Sequence, residues 1–401
     1  MTDSPPLAAN RSAFRRLSAA VTANAFCFFG EQVVVAYLAF RLTDNSIWVG
    51  VCLGLYYAPM LAFGLTAGGL ADRFSRRQLL ITSEAVTAVL LLGLSLLVGV
   101  TQLPLWGLIV ACLTVGTGRA LFHTLRGSIA YDLVPGAHAT LALGRLNLGA
   151  RTGQLIGAFA AGSVVEYHGV ASAYGMLSAM QLLSLVLVLG LPTLPQPPRS
   201  APLRESLREL RVELTTNRIL GLLLVLTAAV EVLGFSFITA LPEIALEKLH
   251  QDAQGLGILH AARAAGGIIA AAVYSTVVLG PRPERLYAMV ILGFGVALIL
   301  IALAPSLRLA CLALMLIAVL SVSTDILSQS MMQGAVADGM RGRAMGVWVF
   351  ALGAAPLGHV ELGLLSTFLS PSAGLAINGA ILFVLGLVLG PVLVAQYRKT
   401  R

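Results

Sequence analysis

Among the ionisable side chains inside long apolar stretches of this sequence, six could carry transport: the acids Glu31, Glu231 and Asp325, and the bases Arg151, Arg263 and His260. Charge in such a setting is costly, so a residue that persists there is a functional suspect by default. A carboxyl group taken out of water favours its neutral form, which suits it to bind and release a proton as its surroundings change. A guanidinium nearby stabilises the charged form, so an acid and a base that meet in one conformation and part in another convert movement into proton affinity. Glu31 is the deepest acid of the first stretch, with Asn24, Cys27 and Phe28 on its face at helical spacing. Asp325 lies on a polar stripe with Ser321, Ser328 and Gln329, and Glu231 follows Thr227 by one helical turn. Arg263 shares a face with His260, and Arg151 with Asn147 and Gln154, which makes all three bases partners for the acids. Two blander readings stand beside these: static ion pairs, and hydroxyl stripes that only hold helices together.

The elements that must carry these residues are membrane spans. Of 401 residues, 58% are hydrophobic and only 11% charged, and the mean hydropathy is +0.89; soluble domains run near a quarter charged. A spanning helix needs about 20 apolar residues, and the chain divides into twelve such runs. Six lie within residues 1–191, and six within 218–401. Between them, residues 192–217 hold a proline-rich linker and a charged amphipathic helix, Leu203 to Leu214, expected to lie on the membrane surface. Alternate loops are rich in arginine, for example Arg76, Arg126, Arg208, Arg285 and Arg343, whereas the intervening loops carry essentially Arg41, Lys248 and Arg308. By the positive-inside rule both termini are then cytoplasmic. The net charge of +8 is spread over these loops, which argues against nucleic-acid binding. The four cysteines fall in apolar runs without metal-ligand or disulfide spacing, and the start of the chain lacks a signal-peptide pattern. No phosphate-binding Gly-x-x-x-x-Gly-Lys-Ser/Thr loop and no nucleophile elbow is present, so neither an ATP-driven pump nor an enzyme is expected, and no cofactor or metal is implied.

One loop adds a motif. Gly68-Gly69-Leu70-Ala71-Asp72-Arg73-Phe74-Ser75-Arg76-Arg77 places a carboxylate, three further guanidiniums and paired glycines between the second and third runs. It resembles the loop between helices 2 and 3 of the major facilitator superfamily, Gly-x-Leu-Ala-Asp-Arg-x-Gly-Arg-Arg/Lys, with Ser75 in place of the second glycine. The stretches Arg41 to Gly50, Tyr131 to Pro135 and Asp338 to Arg343 are similar to exporters of the enterobactin and macrolide type within that superfamily. The resemblance implies an all-α membrane protein of two six-helix bundles related by a pseudo-twofold axis. It implies a gating role for Gly68, Gly69, Asp72, Arg73, Arg76, Arg77 and Arg126, and a monomer in the bacterial inner membrane. The expected function is proton-coupled export of a small amphipathic or hydrophobic compound, drug-like or siderophore. Lysophospholipid or metabolite transport is the alternative within the same class, and a non-transporting membrane receptor the alternative outside it. Gly149, Gly153, Gly157 and Gly162 resemble the superfamily's antiporter motif, but Ala158 replaces its proline and Ala161 one glycine, so a small-residue packing seam explains them equally well.

Overall fold

A computed structural model describes residues 7–71, 75–100, 103–134, 139–192, 217–276, 282–336 and 341–400. The described residues are helical, without strands. The elements are α1 (Leu7–Thr43), α2 (Ser46–Ala71), α3 (Arg76–Val100), α4 (Leu105–Leu133) and α5 (Ala139–Leu189). There follow α6 (Arg218–Lys248), α7 (Ala253–Thr276), α8 (Pro283–Leu303), α9 (Leu307–Gly334), α10 (Arg341–Leu352), α11 (Ala355–Phe368) and α12 (Pro371–Thr400). Among the described residues ten helices are long and apolar enough to cross a membrane. Many large apolar side chains face outward, Val89, Leu96, Trp106 and Leu303 among them at 63–71% exposure. In water that much apolar surface would aggregate; against acyl chains it is the solvent-facing side. The amphipathic linker helix expected at 203–214 lies outside the described residues, as do Asp72 and Arg73.

Local chemistry sets the helix ends. Asp44 (φ 49°) closes α1 in the left-handed region that aspartate tolerates, and the Asn45 side chain accepts from the Ile47 N–H at 2.9 Å to start α2. Asn217 caps α6, and Asp252 caps α7, through hydrogen bonds of 3.1 and 2.8 Å. The chain leaves α-geometry in α6, where Val230–Gly234 form a π turn and Phe235–Ala240 a 3-10 turn; irregular turns of this kind collect at functional sites.

Helix α5 contains two packed arms. Up to Gly162 it runs alongside α1 in the same direction, Gly153 against Thr22 and Gly157 against Phe26. Beyond Gly169 it runs the opposite way, with Cys27 bonded to the Leu177 carbonyl, Ser184 to that of Ala20, and Arg16 to that of Gly190. Gly169 makes the reversal at φ 81°, a conformation that only glycine adopts cheaply. The glycine series of α5 is thus a seam: Gly149, Gly153 and Gly157 meet α1, and Gly162 meets Ala253 and Gly257 of α7.

Candidate functional site: a cavity between the N- and C-terminal helices

Two helix pairs join the N-terminal helices α1–α5 to the C-terminal helices α6–α12. In the first, Gly50 of α2 lies on the His359 backbone of α11, and the Thr367 hydroxyl donates to Asn45 Oδ1 at 2.6 Å. In the second, Glu166 of α5 accepts from the Ala253 N–H at 3.1 Å, and Tyr167 donates to Gln254 at 3.1 Å. Ser46 donates to Glu243 on the same side of the molecule. These contacts close the end that carries the α1–α2 turn. Beneath the closure lies a cavity of about 470 Å³ lined from both sets of helices, within the usual range for a small-molecule site.

The wall of the cavity holds Arg119, Arg126, Arg151 and Arg263 together with Glu231 and Asp325, and an aromatic lining that includes Phe28, Phe29, Tyr57 and Trp348. Asp325 interacts electrostatically with both Arg151 and Glu231, so α5, α6 and α9 contribute one charged cluster. Arg151 also donates to Gln154 at 3.0 Å, its neighbour one turn along. Arg263 is held by rings: its guanidinium carbon lies 5.4 Å from the centre of Phe29 and 5.8 Å from that of Phe237, an arrangement that steadies a cation without neutralising it. His359 stacks on Tyr57 with centroids 5.2 Å apart and lies 2.9 Å from the Thr239 hydroxyl. Glu361, two residues on, turns away and accepts from Asn378 at 3.0 Å, as a 100° step per residue requires.

The placement of Glu31 corrects the sequence reading. Glu31 is buried and does not line the cavity, and its cationic partner is Arg119 of α4, not Arg151. Arg119 Nη2 reaches Glu31 Oε2 at 3.4 Å, and the Tyr56 hydroxyl donates to the same oxygen at 2.9 Å. The other arm of Arg119 donates to Gln181 at 2.8 Å. Arg151 is one helix too far round: the first arm of α5 presents glycines to α1 and turns Arg151 towards α9. His260 is likewise buried behind the wall and not a lining residue, with no hydrogen-bond partner at Nε2. Of the Gly68 to Arg77 stretch, Gly68 and Gly69 fall in the last turns of α2, and Arg76 opens α3. Arg77 donates to the Leu189 carbonyl at 2.7 Å. Arg126 lines the cavity, 3.2 Å from His123.

Sequence reasoning left Glu84 unlisted. Glu84 of α3 is 1% exposed and accepts from Asn24 at 2.7 Å. The signal that singles out Glu31, a carboxylate within an apolar run, was present there too.

The sequence profile of the Major Facilitator Superfamily matches residues 17–239, more than half of the chain. The chain belongs to the major facilitator superfamily. It is therefore a multi-pass membrane transporter and not an enzyme. The enterobactin exporter of Citrobacter koseri is 28% identical over 383 residues, which cover 90% of this chain and 87% of that protein. The enterobactin exporter of Escherichia coli O1:K1 / APEC is 29% identical over 384 residues, with the same coverage. Among solved structures, a peptide transporter POT in complex with sulfate superposes with a TM-score of 0.79 at 14% identity, covering 96% of this chain and 95% of that one. A bacterial homologue of the human lysosomal transporter Spinster, inward-facing and unoccupied, superposes with a TM-score of 0.68 at 16% identity, covering 99% of both. At such identities the likeness to these structures is one of fold.

Proposed function

We propose that this superfamily member is a secondary exporter of a small amphipathic compound of the siderophore type, driven by inward proton movement. The observation that carries this reading is the cavity itself: guanidiniums, carboxylates and aromatic rings from both sets of helices converge on one space, closed at one end by glycine-backed contacts. Similarity to the enterobactin exporters over 90% of the chain supports a siderophore-like substrate over a purely hydrophobic one. Three wall arginines, Arg126, Arg151 and Arg263, against Glu231 and Asp325 suit a molecule that combines aromatic rings with acidic groups.

Ten long apolar helices, the doubled-back arm of α5 and the shorter apolar helix α2 support twelve spans, arranged as bundles 1–191 and 218–401 joined by the linker 192–217. The protein then works as a monomer in the bacterial inner membrane, and rocking of one bundle on the other exposes the cavity to each side in turn. With the α1–α2 turn outside, the contacts of α2 with α11 and of α5 with α7 form the outer gate, and the Gly68 to Arg77 loop with Asp72 and Arg73 belongs to the inner one. Cysteines introduced as Ser200→Cys and Thr400→Cys are expected to react with an impermeant maleimide only from the cytoplasmic face, and Asp44→Cys only from outside. Labelling of Ser200→Cys in intact cells would overturn the twelve-span arrangement.

Coupling is assigned to Glu31. Its distance from Arg119 sets how strongly the charged carboxylate is favoured, so two conformations that differ in that distance differ in proton affinity. One pKa unit of difference corresponds to about 1.4 kcal/mol, which a modest shift of α4 against α1 supplies. Asp325 and Glu231, on the cavity wall, are assigned to substrate contact. The test is export of a panel of siderophores and drugs from efflux-deficient cells, with and without a protonophore, by wild type and Glu31→Gln. Glu31→Gln is expected to keep substrate exchange but lose accumulation against a gradient, while Asp325→Asn weakens binding. Uphill transport preserved in Glu31→Gln and lost in Asp325→Asn would move the coupling site to the cavity wall.

A further inference from the structure

The core between α1, α3, α4 and α5 encloses two carboxyl groups and one guanidinium. Glu31, Glu84 and Arg119 are 1, 1 and 3% exposed. Arg119 pairs with Glu31 at 3.4 Å, and through its Nη1 it reaches Gln181 at 2.8 Å and the Asn24 carbonyl at 3.5 Å. Asn24 in turn donates to Glu84 Oε1 at 2.7 Å. Arg119 acts electrostatically on both acids. The other titratable group beside Glu84 is the Cys27 thiol of α1, which donates to the Leu177 carbonyl. On α5 the polar neighbours of Glu84 are the neutral side chains Gln181 and Ser184. The network therefore holds two carboxyl groups against a single fixed positive charge. A buried carboxylate without a cation is strongly disfavoured, and a bound proton removes the imbalance. The groups that hydrogen-bond Glu84, Asn24 at 2.7 Å and the neighbouring Ser184 and Gln181, are all neutral, whereas Glu31 has both the guanidinium and the Tyr56 hydroxyl. Asn24 and Arg119 line the cavity and the two acids do not, so the acids meet a bound substrate only through those two side chains.

We infer that Glu31 and Glu84 form a unit that holds one proton, carried on Glu84 in the arrangement seen here, with Arg119 selecting which of the two acids is charged. If Arg119 shifts from Glu31 to Glu84, the proton passes from the Glu84 carboxyl group to the Glu31 carboxylate; one O–H bond breaks, one forms, and the net charge of the unit stays at zero. Glu84 is then a second proton-bearing residue of the transport cycle, and substrate reaches it by competing for Arg119. This deepens the proton-coupled reading above and rests on it.

The test is infrared spectroscopy of the full-length protein in lipid nanodiscs at neutral pH, reading the carbonyl stretch of protonated carboxyl groups. Wild type is expected to show one unit of this band that both Glu84→Gln and Glu31→Gln lack, because the single remaining acid must ionise to serve Arg119. Arg119→Met is expected to show two units, both acids being protonated. Glu84→Asp shifts the band, and Glu31→Asp leaves it in place. A band unchanged in Glu84→Gln, or shifted by Glu31→Asp and not by Glu84→Asp, overturns the assignment. Transport separates this from the broader reading. Glu84→Gln is expected to retain exchange but to lower proton-driven accumulation at least tenfold. Full accumulation in Glu84→Gln with loss in Glu31→Gln removes Glu84 and leaves Glu31 as sole carrier. Wild-type export that is insensitive to a protonophore removes proton coupling itself. If Glu84→Gln yields no folded protein, the two aspartate variants decide the matter alone.

Discussion

Arg119→Met is expected to destabilise the N-terminal helices by about 4 kcal/mol at neutral pH, the scale found when one partner of a buried ion pair is removed. Both side chains are 2% exposed, so solvent screening does not soften the loss. The size can be bounded independently. Without its cation, Glu31 takes up a proton, which at pH 7 costs about 1.4 kcal/mol for each unit above an ordinary glutamate value near 4.3, or about 3.7 kcal/mol. The sign of the pH dependence follows. The folded variant binds one more proton than folded wild type, so its stability falls more steeply as pH rises. At pH 5 the same reasoning leaves a cost of about 1 kcal/mol. Thermal unfolding of purified protein in detergent should therefore show a gap from wild type that widens between pH 5 and pH 7. The double variant Glu31→Gln/Arg119→Met should recover most of it. An equal gap at both pH values, with no recovery in the double variant, would mean that Arg119 stabilises through packing and not through charge.

Gly157→Val is expected to remove folded protein from the membrane altogether. A side chain at Gly157 would collide with the carbonyl oxygen and Cα of Phe26, backbone atoms of α1 that no rotamer change can clear. Overpacking between side chains costs about 1–3 kcal/mol; here the two helices must separate along their whole seam, which also breaks the contacts at Gly153 and Gly149. The control is Gly93→Ala, where an added methyl meets nothing within 4 Å and only helix propensity changes, by a few tenths to 1 kcal/mol in the favourable direction. Fluorescence-detected size-exclusion of tagged variants measures both. A monodisperse Gly157→Val peak at wild-type yield would show that α1 and α5 are not packed as described.

These two residues also mark where the sequence stops being informative. The apolar runs, their helical state and the placement of acids and bases within them were legible directly, because a bilayer forces every spanning segment to satisfy its own backbone hydrogen bonds and makes each charge conspicuous. The Gly68 to Arg77 motif identified the superfamily before any fold was known, and the sequence profile and curated relatives bear it out. What spacing cannot give is which helix lies opposite a given face. On sequence grounds Arg151 was offered to the acids and Arg119 was not. The choice fell to Arg119 because the glycine seam draws the first arm of α5 so close to α1 that Arg151 is rotated towards Asp325, while α4 passes beside Glu31 with Arg119 at its level. Glu84 reads as one more acid in an apolar run until Asn24 joins it to the same core. Segment hydrophobicity is a property of neighbours in the chain and is written there. Partner selection among buried charges depends on the distance between helix axes and the rotation of each helix about its own, and those are set only when all the helices pack together.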